Sequence, residues 1–354
     1  MAQMFAYIGT YTRDGSEGIY ICHYNPDTGA LAEVGVAKSN NSSFLALHPT
    51  GQYLYAINEA GDYQGEKAGD LSAFSINRTT GALTFLNQLS TQGAAPCHVC
   101  VTNDGTCAIV VNYSGGSTCA FELATDGSLK TVSTFIQHTG SSIHPKRQEG
   151  PHAHSANLDA QNCFVYVADL GLDKVLIYKV NNGKLTPANP AFVTVTPGQG
   201  PRHFDFHPNG KYAYLINEIG NTVCAYTCNA TTGALTEIQN IPTLPNSFSG
   251  NSHTADIHVS PDGKYLYGSN RGHNSIVIYA IDQATGKLTL VGHEPTGGDN
   301  PRNFAIDPAG NFLLVANQNT HTIVSFRIDK TSGKLQATGQ EIRVPRPVCI
   351  KFLQ

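Results

Sequence analysis

The sequence predicts an all-β protein, a seven-bladed β-propeller built from four-stranded antiparallel blades. Three observations predict this fold: seven Gly-x-Leu turns at nearly regular spacing, a second kind of turn between successive copies of the first, and complementary half-repeats near the two ends of the chain. Charged residues make up only 14% of the 354 residues, whereas glycine occurs 35 times. That composition fits short strands joined by tight turns.

In the first signature, a glycine follows polar residues and precedes an apolar, alternating run. Glycine supplies the positive φ that hairpin turns need, so each copy predicts a hairpin. Successive glycines lie about 50 residues apart, the period of a four-stranded repeat. The seven glycines are Gly29, Gly81, Gly127, Gly183, Gly233, Gly286 and Gly333.

The second signature is a four-residue turn that precedes an aromatic or apolar run, as in Ser260-Pro261-Asp262-Gly263. Where proline stands second, it pre-sets the turn, and Gly or Asn closes it. Copies begin at His48, Thr102, Asp159, His207, Ser260 and Asp307. Two turns per repeat imply four strands, A to D, predicted in the fifth repeat near 201–207, 211–218, 221–228 and 234–241. Four-stranded units of this period are typical of a propeller.

The two ends of the chain carry complementary half-repeats. Residues 345–352 resemble an A strand, and residues 5–11 resemble a B strand. Together they complete one blade, which closes the ring and removes exposed sheet edges. Two separate β-sandwich domains would not predict such halves, so we expect a single propeller domain over residues 1–354.

The long connections are all of the B–C or D–A type, at 60–70, 137–150 and 242–251. They share one end of the ring, and function usually lies on such a loop face. Aligning the repeats places two rings of residues at this mouth. The start of strand A contributes Ser43, Cys97, His154, Arg202, Ala255, Arg302 and Arg346. The end of strand B contributes Tyr11, Glu59, Tyr113, Leu170, Glu218, Arg271 and Gln318. His152 and His253 stand two residues ahead of their ring positions and are expected on the same strand face.

Asparagine recurs one position before the end of strand B, as at Asn58, Asn112 and Asn217, with Asp169 at the equivalent place. We expect a structural role, because Asn side chains bond local backbone groups where strands end. A calcium site formed by these four residues is the alternative.

Two pairs of residues have spacings that resemble metal sites, but we expect no metal at either pair. Cys97 and Cys100 form a CxxC on a strand, where positions i and i+3 face opposite ways, although Cys97 itself can border the mouth. His152 and His154 have a zinc-compatible spacing, but no third ligand follows from the sequence. Lys146-Arg147 is expected to be a solvated loop charge.

The bulk properties exclude several classes of partner. A net charge of −4 without a Lys/Arg run argues against nucleic-acid binding. No run approaches the roughly 18 apolar residues of a membrane span, and the N-terminal residues lack a signal-peptide pattern. Nine cysteines without a short secreted framework predict reduced thiols and a cytoplasmic location. We expect no cofactor, and the oligomeric state stays open.

The chain resembles the seven-bladed propeller lactonase family, which holds bacterial 6-phosphogluconolactonases and the fungal carboxymuconate lactonizing enzyme. The resemblance covers essentially the whole chain and rests on a set of short motifs. They are Tyr7-Ile8-Gly9-Thr10-Tyr11-Thr12, Gly150-Pro151-His152-Ala153-His154, Gly200-Pro201-Arg202-His203-Phe204, Ile216-Asn217-Glu218, Ser269-Asn270-Arg271-Gly272 and Asn300-Pro301-Arg302-Asn303-Phe304. The family's proposed active-site constellation falls on His154, Arg202, Glu218 and Arg271.

The resemblance implies hydrolysis of a sugar lactone, 6-phosphogluconolactone above all. His154 is then the expected general base, with Glu218 orienting it or acting as base in its place. Arg202 and Arg271 are expected to bind the carbonyl oxygen or an anionic substituent. Further expected substrate contacts are His152, His253, Glu59, Arg302 and Arg346, the last two as candidates for a second phosphate contact. Cycloisomerisation of a carboxylated muconate and a non-enzymatic ligand-binding or scaffold propeller are the alternatives.

Overall fold

The computed structural model describes residues 4–353, and these residues form twenty-eight strands in seven four-stranded antiparallel sheets. The first blade contains β1 (Met4–Thr10), β2 (Gly18–Tyr24), β3 (Leu31–Lys38) and, from the other end of the chain, β28 (Pro347–Leu353). The second contains β4 (Phe44–Leu47), β5 (Tyr53–Asn58), β6 (Asp70–Ile76) and β7 (Leu83–Ser90). The third contains β8 (Pro96–Val101), β9 (Cys107–Asn112), β10 (Ser117–Leu123) and β11 (Leu129–Gln137).

The remaining blades follow the same order from the channel outward. The fourth contains β12 (Ala153–Leu158), β13 (Phe164–Asp169), β14 (Lys174–Asn181) and β15 (Lys184–Thr194). The fifth contains β16 (Pro201–Phe206), β17 (Tyr212–Asn217), β18 (Thr222–Cys228) and β19 (Leu235–Pro242). The sixth contains β20 (His253–Val259), β21 (Tyr265–Arg271), β22 (Ser275–Ile281) and β23 (Leu288–Pro295). The seventh contains β24 (Pro301–Ile306), β25 (Phe312–Asn317), β26 (Thr322–Ile328) and β27 (Leu335–Arg343). The predicted seven-bladed fold and the predicted strands of the fifth repeat are confirmed.

The first blade is closed by strands from both ends of the chain, as predicted. Strand β28 pairs antiparallel with β1, with Phe5 opposite Leu353 and Ile8 opposite Ile350. Within residues 4–353, no helix is long and apolar enough to cross a membrane.

Apolar contacts between neighbouring blades form the core, and the B strands are buried on both faces. Strands β9, β13, β17 and β25 are buried along their whole length. Several blade interfaces also carry a tyrosine latch, in which a buried B-strand tyrosine donates to the Gly-x-Leu glycine of the next blade. Tyr214 reaches the Gly286 carbonyl at 3.0 Å, for example. Gly286 has φ +72°, and a Cβ there would lie 2.4 Å from the Tyr212 ring, so the turn requires glycine.

A β-bulge at the start of the A strand determines which side chains enter the channel. In the fifth blade, Pro201 pairs with Asn217 and His203 pairs with Ile216, so Arg202 is the extra residue. Such a bulge re-aims a side chain at the end of a strand. The same register shift occurs in five blades, and in each it leaves one A-strand residue without a partner on the B strand. These residues are Cys97, His154, Arg202, Arg302 and Val348.

The bulge corrects the predicted position of Arg346. The A strand of the first blade starts at Pro347, which pairs with Thr10 as Pro301 pairs with Asn317. Val348 therefore holds the ring position, and Arg346 precedes the strand in a left-handed conformation with φ 47°. The segment Pro345-Arg346-Pro347 offers two prolines at which the bulge could begin, and the chain uses the second.

Three rings of A-strand residues therefore follow one another down the channel. The upper ring at the loop end is Ser43, Cys97, His154, Arg202, Ala255, Arg302 and Val348. The middle ring is Phe44, His98, Ser155, His203, Asp256, Asn303 and Cys349. The lower ring at the opposite end is Ala46, Cys100, Asn157, Asp205, His258, Ala305 and Lys351.

Candidate active site

Glu218 is the centre of a buried ionic cluster at the loop end of the channel. Its Oε2 accepts a hydrogen bond from Arg202 Nε at 2.9 Å and forms an ion pair with Arg271 Nη2 at 3.0 Å. Its Oε1 accepts a hydrogen bond from Arg147 Nη2 at 2.5 Å. Burial opposes ionisation of Glu218, but the guanidinium groups of Arg271 and Arg202 hold its pKa well below the usual range. Glu218 is therefore a carboxylate engaged by three cations, which removes it as the free general base considered above.

Arg202 and Arg271 are fixed by backbone carbonyls as well as by Glu218. Arg202 is only 2% exposed, and its Nη1 donates to the Ala255 carbonyl. Burial and the neighbouring Arg271 lower the pKa of Arg202 to about 9, so it is still cationic at neutral pH. Arg271 Nη2 donates to the Thr254 carbonyl at 2.8 Å. Both guanidiniums are placed by contacts within the protein rather than left free for a substrate.

His154 lies beside this cluster without a short contact to it. Its Nε2 is 3.8 Å from Glu218 Oε2, and its Nδ1 is 3.8 Å from the Cys97 sulfur. Burial and the charge of Arg202 lower the pKa of His154 well below its usual value, although Glu218 acts in the opposite direction. The imidazole is therefore neutral near pH 7 and able to accept a proton. Cys97 borders the pocket, as the sequence suggested.

Arg302 faces His154 across the pocket and differs from the other arginines. Its guanidinium lies 5.6 Å from the centre of the Tyr11 ring. Across residues 4–353 it makes no hydrogen bond, and no carboxylate lies within ion-pair distance of it. Glu59 is nearby but is engaged elsewhere, because its Oε2 accepts from the Tyr11 hydroxyl at 2.8 Å and from Ser43 at 2.5 Å.

These groups enclose a narrow cavity at the floor of the mouth. It is lined by Ser43, Glu59, Cys97, His154, Arg202 and Arg302, among others, and its volume is about 10 Å³. That volume is near the minimum that holds one water molecule. Any larger molecule must therefore lie above this floor, among the residues of the loop mouth.

His152 forms the side wall of the mouth. Its ring stacks on Tyr113 with centroids 4.6 Å apart, and Tyr113 in turn meets the His154 ring edge-on at 5.3 Å. His152 Nδ1 lies 3.0 Å from the Tyr113 carbonyl oxygen, and its Nε2 lies 3.4 Å from Glu149. His152 and Glu59 thus lie at the mouth, as expected.

Two expected substrate contacts are not brought to the pocket. His253 is exposed, and only its carbonyl is used, as an acceptor from Arg271 Nε at 3.4 Å. Its predicted orientation was wrong because the irregular register between Thr254 and Ile257 breaks the period-two alternation of the strand. Arg346 lies on the outer rim, where it donates to Asp14 and, at 2.9 Å, to Asn319.

The expectation that Arg147 is a solvated charge was also wrong. Besides Glu218, it reaches the Tyr113 hydroxyl at 3.1 Å, and its side chain is only 32% exposed. The loop that carries it is anchored on both sides. Gln148 is fully buried and donates to the Leu170 carbonyl at 2.8 Å, and Ser142 donates to Asp173 at 2.5 Å. One feature of the sequence could have indicated this position of Arg147. Only a few residues separate it from the His152 motif, so the end of the loop must lie close to the pocket.

The recurring asparagines have the structural role that their position suggested. Asn112, Asn270 and Asn317 are fully buried, and each side-chain amide donates to a loop carbonyl at 3.0 to 3.1 Å. Each fastens the connection that enters its blade from the preceding one. In the described part of the chain, no three His, Cys, Asp or Glu side chains are grouped as metal ligands.

A buried, neutral histidine among four arginines, at the loop mouth of a propeller, defines a pocket built for acid–base chemistry on an anionic molecule. The chain belongs to the family of seven-bladed β-propeller lactonases, whose model matches residues 5–352. This membership confirms the resemblance seen in the sequence and identifies the protein as a lactone-hydrolysing enzyme.

Individual relatives agree with the family. A 6-phosphogluconolactonase of Bacillus subtilis (strain 168) is 38% identical over 354 residues, which cover 100% of this chain and 99% of that protein. A 6-phosphogluconolactonase of Formosa agariphila is 40% identical over 307 residues, covering 84% and 85% of the two chains. The solved structure of a periplasmic gluconolactonase of Pseudomonas aeruginosa superposes with a TM-score of 0.94 at 33% identity and covers 99% of each chain.

Proposed function

We propose that the protein hydrolyses 6-phosphogluconolactone to 6-phosphogluconate at the mouth formed by His154, Arg302, Glu218 and Arg147. One observation carries this proposal: a neutral, buried imidazole and an unpaired guanidinium lie on the same water-sized cavity. Those are the two groups that lactone hydrolysis needs most, a proton acceptor and a cation for the oxyanion. The names of the relatives supply the substrate.

His154 is the proposed general base. A water in the small cavity gives a proton to the imidazole as its oxygen attacks the lactone carbonyl carbon. The neutral state that burial and Arg202 impose keeps the nitrogen lone pair available at pH 7. Glu218, 3.8 Å away, then stabilises the imidazolium that forms. A positioned base of this kind contributes about 10² to 10⁴ in rate.

Arg302 is the proposed cation for the carbonyl oxygen, which becomes negative when water adds. Because its guanidinium has no hydrogen bond to any described residue, all of its donors are available. Arg202 and Arg271, which the sequence suggested for this task, are already engaged by Glu218 and by carbonyls. They contribute a fixed positive field instead.

Ring opening completes the reaction. The tetrahedral intermediate collapses, the bond between the carbonyl carbon and the ring oxygen breaks, and the electron pair leaves on that oxygen. The proton taken by His154 passes to this alkoxide, which returns the imidazole to its neutral state. The water has then supplied a hydroxyl to the carbonyl carbon and a proton to the ring oxygen, and no other reactant is consumed.

Arg147 is the proposed contact for the substrate phosphate. The phosphate is several bonds from the carbonyl, so it must lie toward the opening when the carbonyl is at Arg302. The side chain of Arg147 is 32% exposed, against 2% for Arg202 and 13% for Arg271. Four guanidiniums against the carboxylates of Glu218 and Glu59 leave an excess of two positive charges, which favours an anionic substrate.

The test is turnover by the purified protein. Hydrolysis of 6-phosphogluconolactone and of unphosphorylated glucono-lactone is followed by acid release, with the spontaneous rate subtracted. The phosphorylated lactone is expected to have the higher kcat/KM. No turnover of either lactone, or conversion of a carboxylated muconate alone, would contradict the proposal. A small anionic lactone is the only partner proposed; a cytoplasmic location and independence of nucleic acid and membranes stay predictions.

A further inference from the structure

One feature without a role in the proposed reaction lies at the opposite end of the channel from the catalytic mouth. There the lower ring encloses a cavity of about 320 Å³, which we call the lower cavity. It is lined by Phe44, Leu47, His98, Asn157, Asp205, His258 and Lys351, among others. A volume of this size is within the range of sites for small molecules. The catalytic chemistry described above uses none of these side chains.

His98 presents an unused hydrogen-bond donor to the lower cavity. The residue is 7% exposed, and its Nδ1 accepts a long hydrogen bond from the Ala156 N–H at 3.4 Å. Burial, together with neighbouring His203 and Lys351, lowers the pKa of His98 well below its usual value, so the ring is neutral. With Nδ1 as acceptor, the proton is on Nε2, which has no partner anywhere in residues 4–353. Nε2 is not among the buried side-chain atoms left without a partner, so its N–H is accessible from the cavity and available to a molecule bound there.

Lys351 supplies a positive charge at the same wall. Its Nζ lies 4.8 Å from the centre of the Phe44 ring, and Phe44 packs on His98 with ring centroids 4.1 Å apart. Within the described chain, no carboxylate pairs with this ammonium. Lys351 and His98 therefore flank one aromatic ring, and both have hydrogen-bond donors available to a single anionic group.

The facing wall offers acceptors. Asp205 is one-third exposed, and its carboxylate accepts from the N–H groups of Phe206 and Val259. Asn157 lines the cavity beside it. The deeper carboxylate of Asp256 is engaged by neighbouring side chains, because it meets His203 at 2.7 Å and His258 at 3.1 Å. The cavity thus has cationic and donor groups on one wall and hydroxyl-binding groups on the other.

We propose that the lower cavity is a second binding site, for a small hydroxy-acid anion. Its carboxylate binds Lys351 and His98 Nε2, and its hydroxyl groups bind Asp205 and Asn157. The C–H groups of the ligand's carbon chain lie against Phe44 and Leu47. This assignment goes beyond the lactonase reaction, since the site is separated from the catalytic mouth by the middle ring of the channel.

The middle ring gives the two sites a physical connection. Phe44 and His203 line both the lower cavity and the catalytic pocket. The His203 ring lies 5.9 Å from Phe44 and 5.4 Å from His154, between centroids. A ligand that moves Phe44 therefore changes the packing of the layer on which the general base rests. Hydroxy acids are also the class of product that lactone hydrolysis releases.

The test uses gluconate as the probe and the histidine rings as local reporters. Protein with ¹³C-labelled histidine is titrated with gluconate, and the NMR signals of His98 and His258 are followed separately from that of His154. The lower-cavity signals are expected to shift along one binding curve. Lys351→Gln is expected to raise the dissociation constant for gluconate about tenfold, the effect of losing one charge-assisted contact. Lys211→Gln removes the same charge from an exposed residue elsewhere and is expected to leave the dissociation constant for gluconate unchanged.

A second variant tests the hydrogen-bond donor Nε2 of His98. His98→Phe keeps an aromatic ring against Phe44 but removes Nε2. The dissociation constant for gluconate, followed by the shift of the His258 signal, is expected to rise by a similar factor. The melting temperature of the variant shows whether the fold is kept. Shifts confined to His154, or equal affinity in Lys351→Gln and Lys211→Gln, would overturn the second site. Turnover of lactone by the same preparations is measured independently, so failure here is distinguishable from failure of the proposed reaction.

Discussion

Arg147 and Glu218 are 71 positions apart in the chain, yet the guanidinium of one donates to the carboxylate of the other across 2.5 Å. Arg147 lies in the connection between the third and fourth blades, whereas Glu218 follows the B strand of the fifth. The contact makes a loop residue part of the same charge cluster that holds Arg202 and Arg271. The mouth of the pocket is therefore organised by an insertion as well as by the repeats.

Substitution of Arg147 separates recognition of the phosphate from the chemistry. Arg147→Ala is expected to lower kcat/KM for 6-phosphogluconolactone about 10- to 100-fold, the loss of one charged hydrogen bond, while the unphosphorylated lactone changes much less. Lys146→Ala is the matched control, since Lys146 is exposed in the same loop and only its backbone N–H is bonded. Steady-state kinetics with both lactones decide the point. Equal losses for the two substrates would instead assign Arg147 to the carbonyl or to the fold.

Removal of the proposed base is the direct test of the chemistry. His154→Asn is expected to lower kcat by about 10² to 10⁴ while the circular dichroism spectrum stays native, because the side chain lies at the pocket and not between the sheets. A folded variant with wild-type kcat would eliminate His154 as the base.

The pH profile should show a histidine that is difficult to protonate. Burial and Arg202 lower the pKa of His154, so its neutral, proton-accepting form persists as the pH falls below 6.5. The acid limb of kcat/KM is therefore expected well below the ordinary histidine range, with full activity retained at pH 6. A half-maximal point near 6.5 would show that the imidazole titrates as if it were in water.

Glu218→Gln tests the carboxylate as the organiser of the arginines. The variant leaves Arg147, Arg202 and Arg271 next to one another without a counter-charge, and it is expected to lower the free energy of unfolding by about 3 kcal/mol at pH 7. In the folded protein the pKa of Glu218 lies below its value in the unfolded chain. The stability that this shift contributes is therefore complete at pH values above the unfolded-state pKa, and it is lost as the pH falls through the folded-state pKa.

Urea unfolding at several pH values measures this contribution. The difference between wild type and Glu218→Gln should be full at pH 7 and should shrink only at pH values below the ordinary glutamate pKa. Equal stability at pH 7 would mean that the arginines are held by their backbone carbonyls alone.

A tyrosine latch between blades can be tested with a control from the same blade. Tyr214→Phe removes the donor to the Gly286 carbonyl and is expected to cost about 1 to 2 kcal/mol. Tyr226→Phe is also a fully buried change, but among residues 4–353 the Tyr226 hydroxyl has no nitrogen or oxygen partner, so little loss is expected. Thermal unfolding of the two variants compares them, and similar losses would show that ring packing, not the hydrogen bond, is what matters.

Activity is expected to survive treatment with excess chelator. The positive charge that the oxyanion needs is supplied by Arg302 and by the field of Arg202 and Arg271. Of the asparagines suggested for calcium, Asn112 donates to the Thr91 carbonyl, and Asn58 and Asn217 donate to hydroxyl groups of the neighbouring strand. Lactone turnover before and after chelation is compared, and loss of activity that added calcium restores would favour the metal-dependent alternative.

The repeats made most of the fold and half of the site predictable. Each repeat places its turns at the same register, so alignment of the repeats alone brings His154, Arg202, Glu218 and Arg271 to one mouth. The prediction for Arg346 failed because two prolines two residues apart both suited the start of the strand. Which of them begins the bulge depends on pairing with β1, a contact between distant parts of the chain.

Two other errors also have physical causes. His253 was placed by strict alternation along a strand, and the bulge at that end of the strand removes the alternation. Arg147 was assigned to solvent because the path of an insertion is not encoded in the repeat. Its course depends on buried anchors such as Gln148, whose contacts with Leu170 only the structure shows. The sequence therefore predicted best where the backbone repeats and least where it departs from the repeat.

The joining of β28 to β1 has a consequence for the order of folding. Strand β1 leaves the ribosome before its inner partner β28, and the other twenty-six strands lie between them in the chain, so the inner edge of β1 stays unpaired until those strands have been made. Contacts between such distant segments are slow to form because a very long loop must close before they add stability. We therefore expect the completion of the first blade to be the late step of folding, and the early strand to need protection from other chains until then.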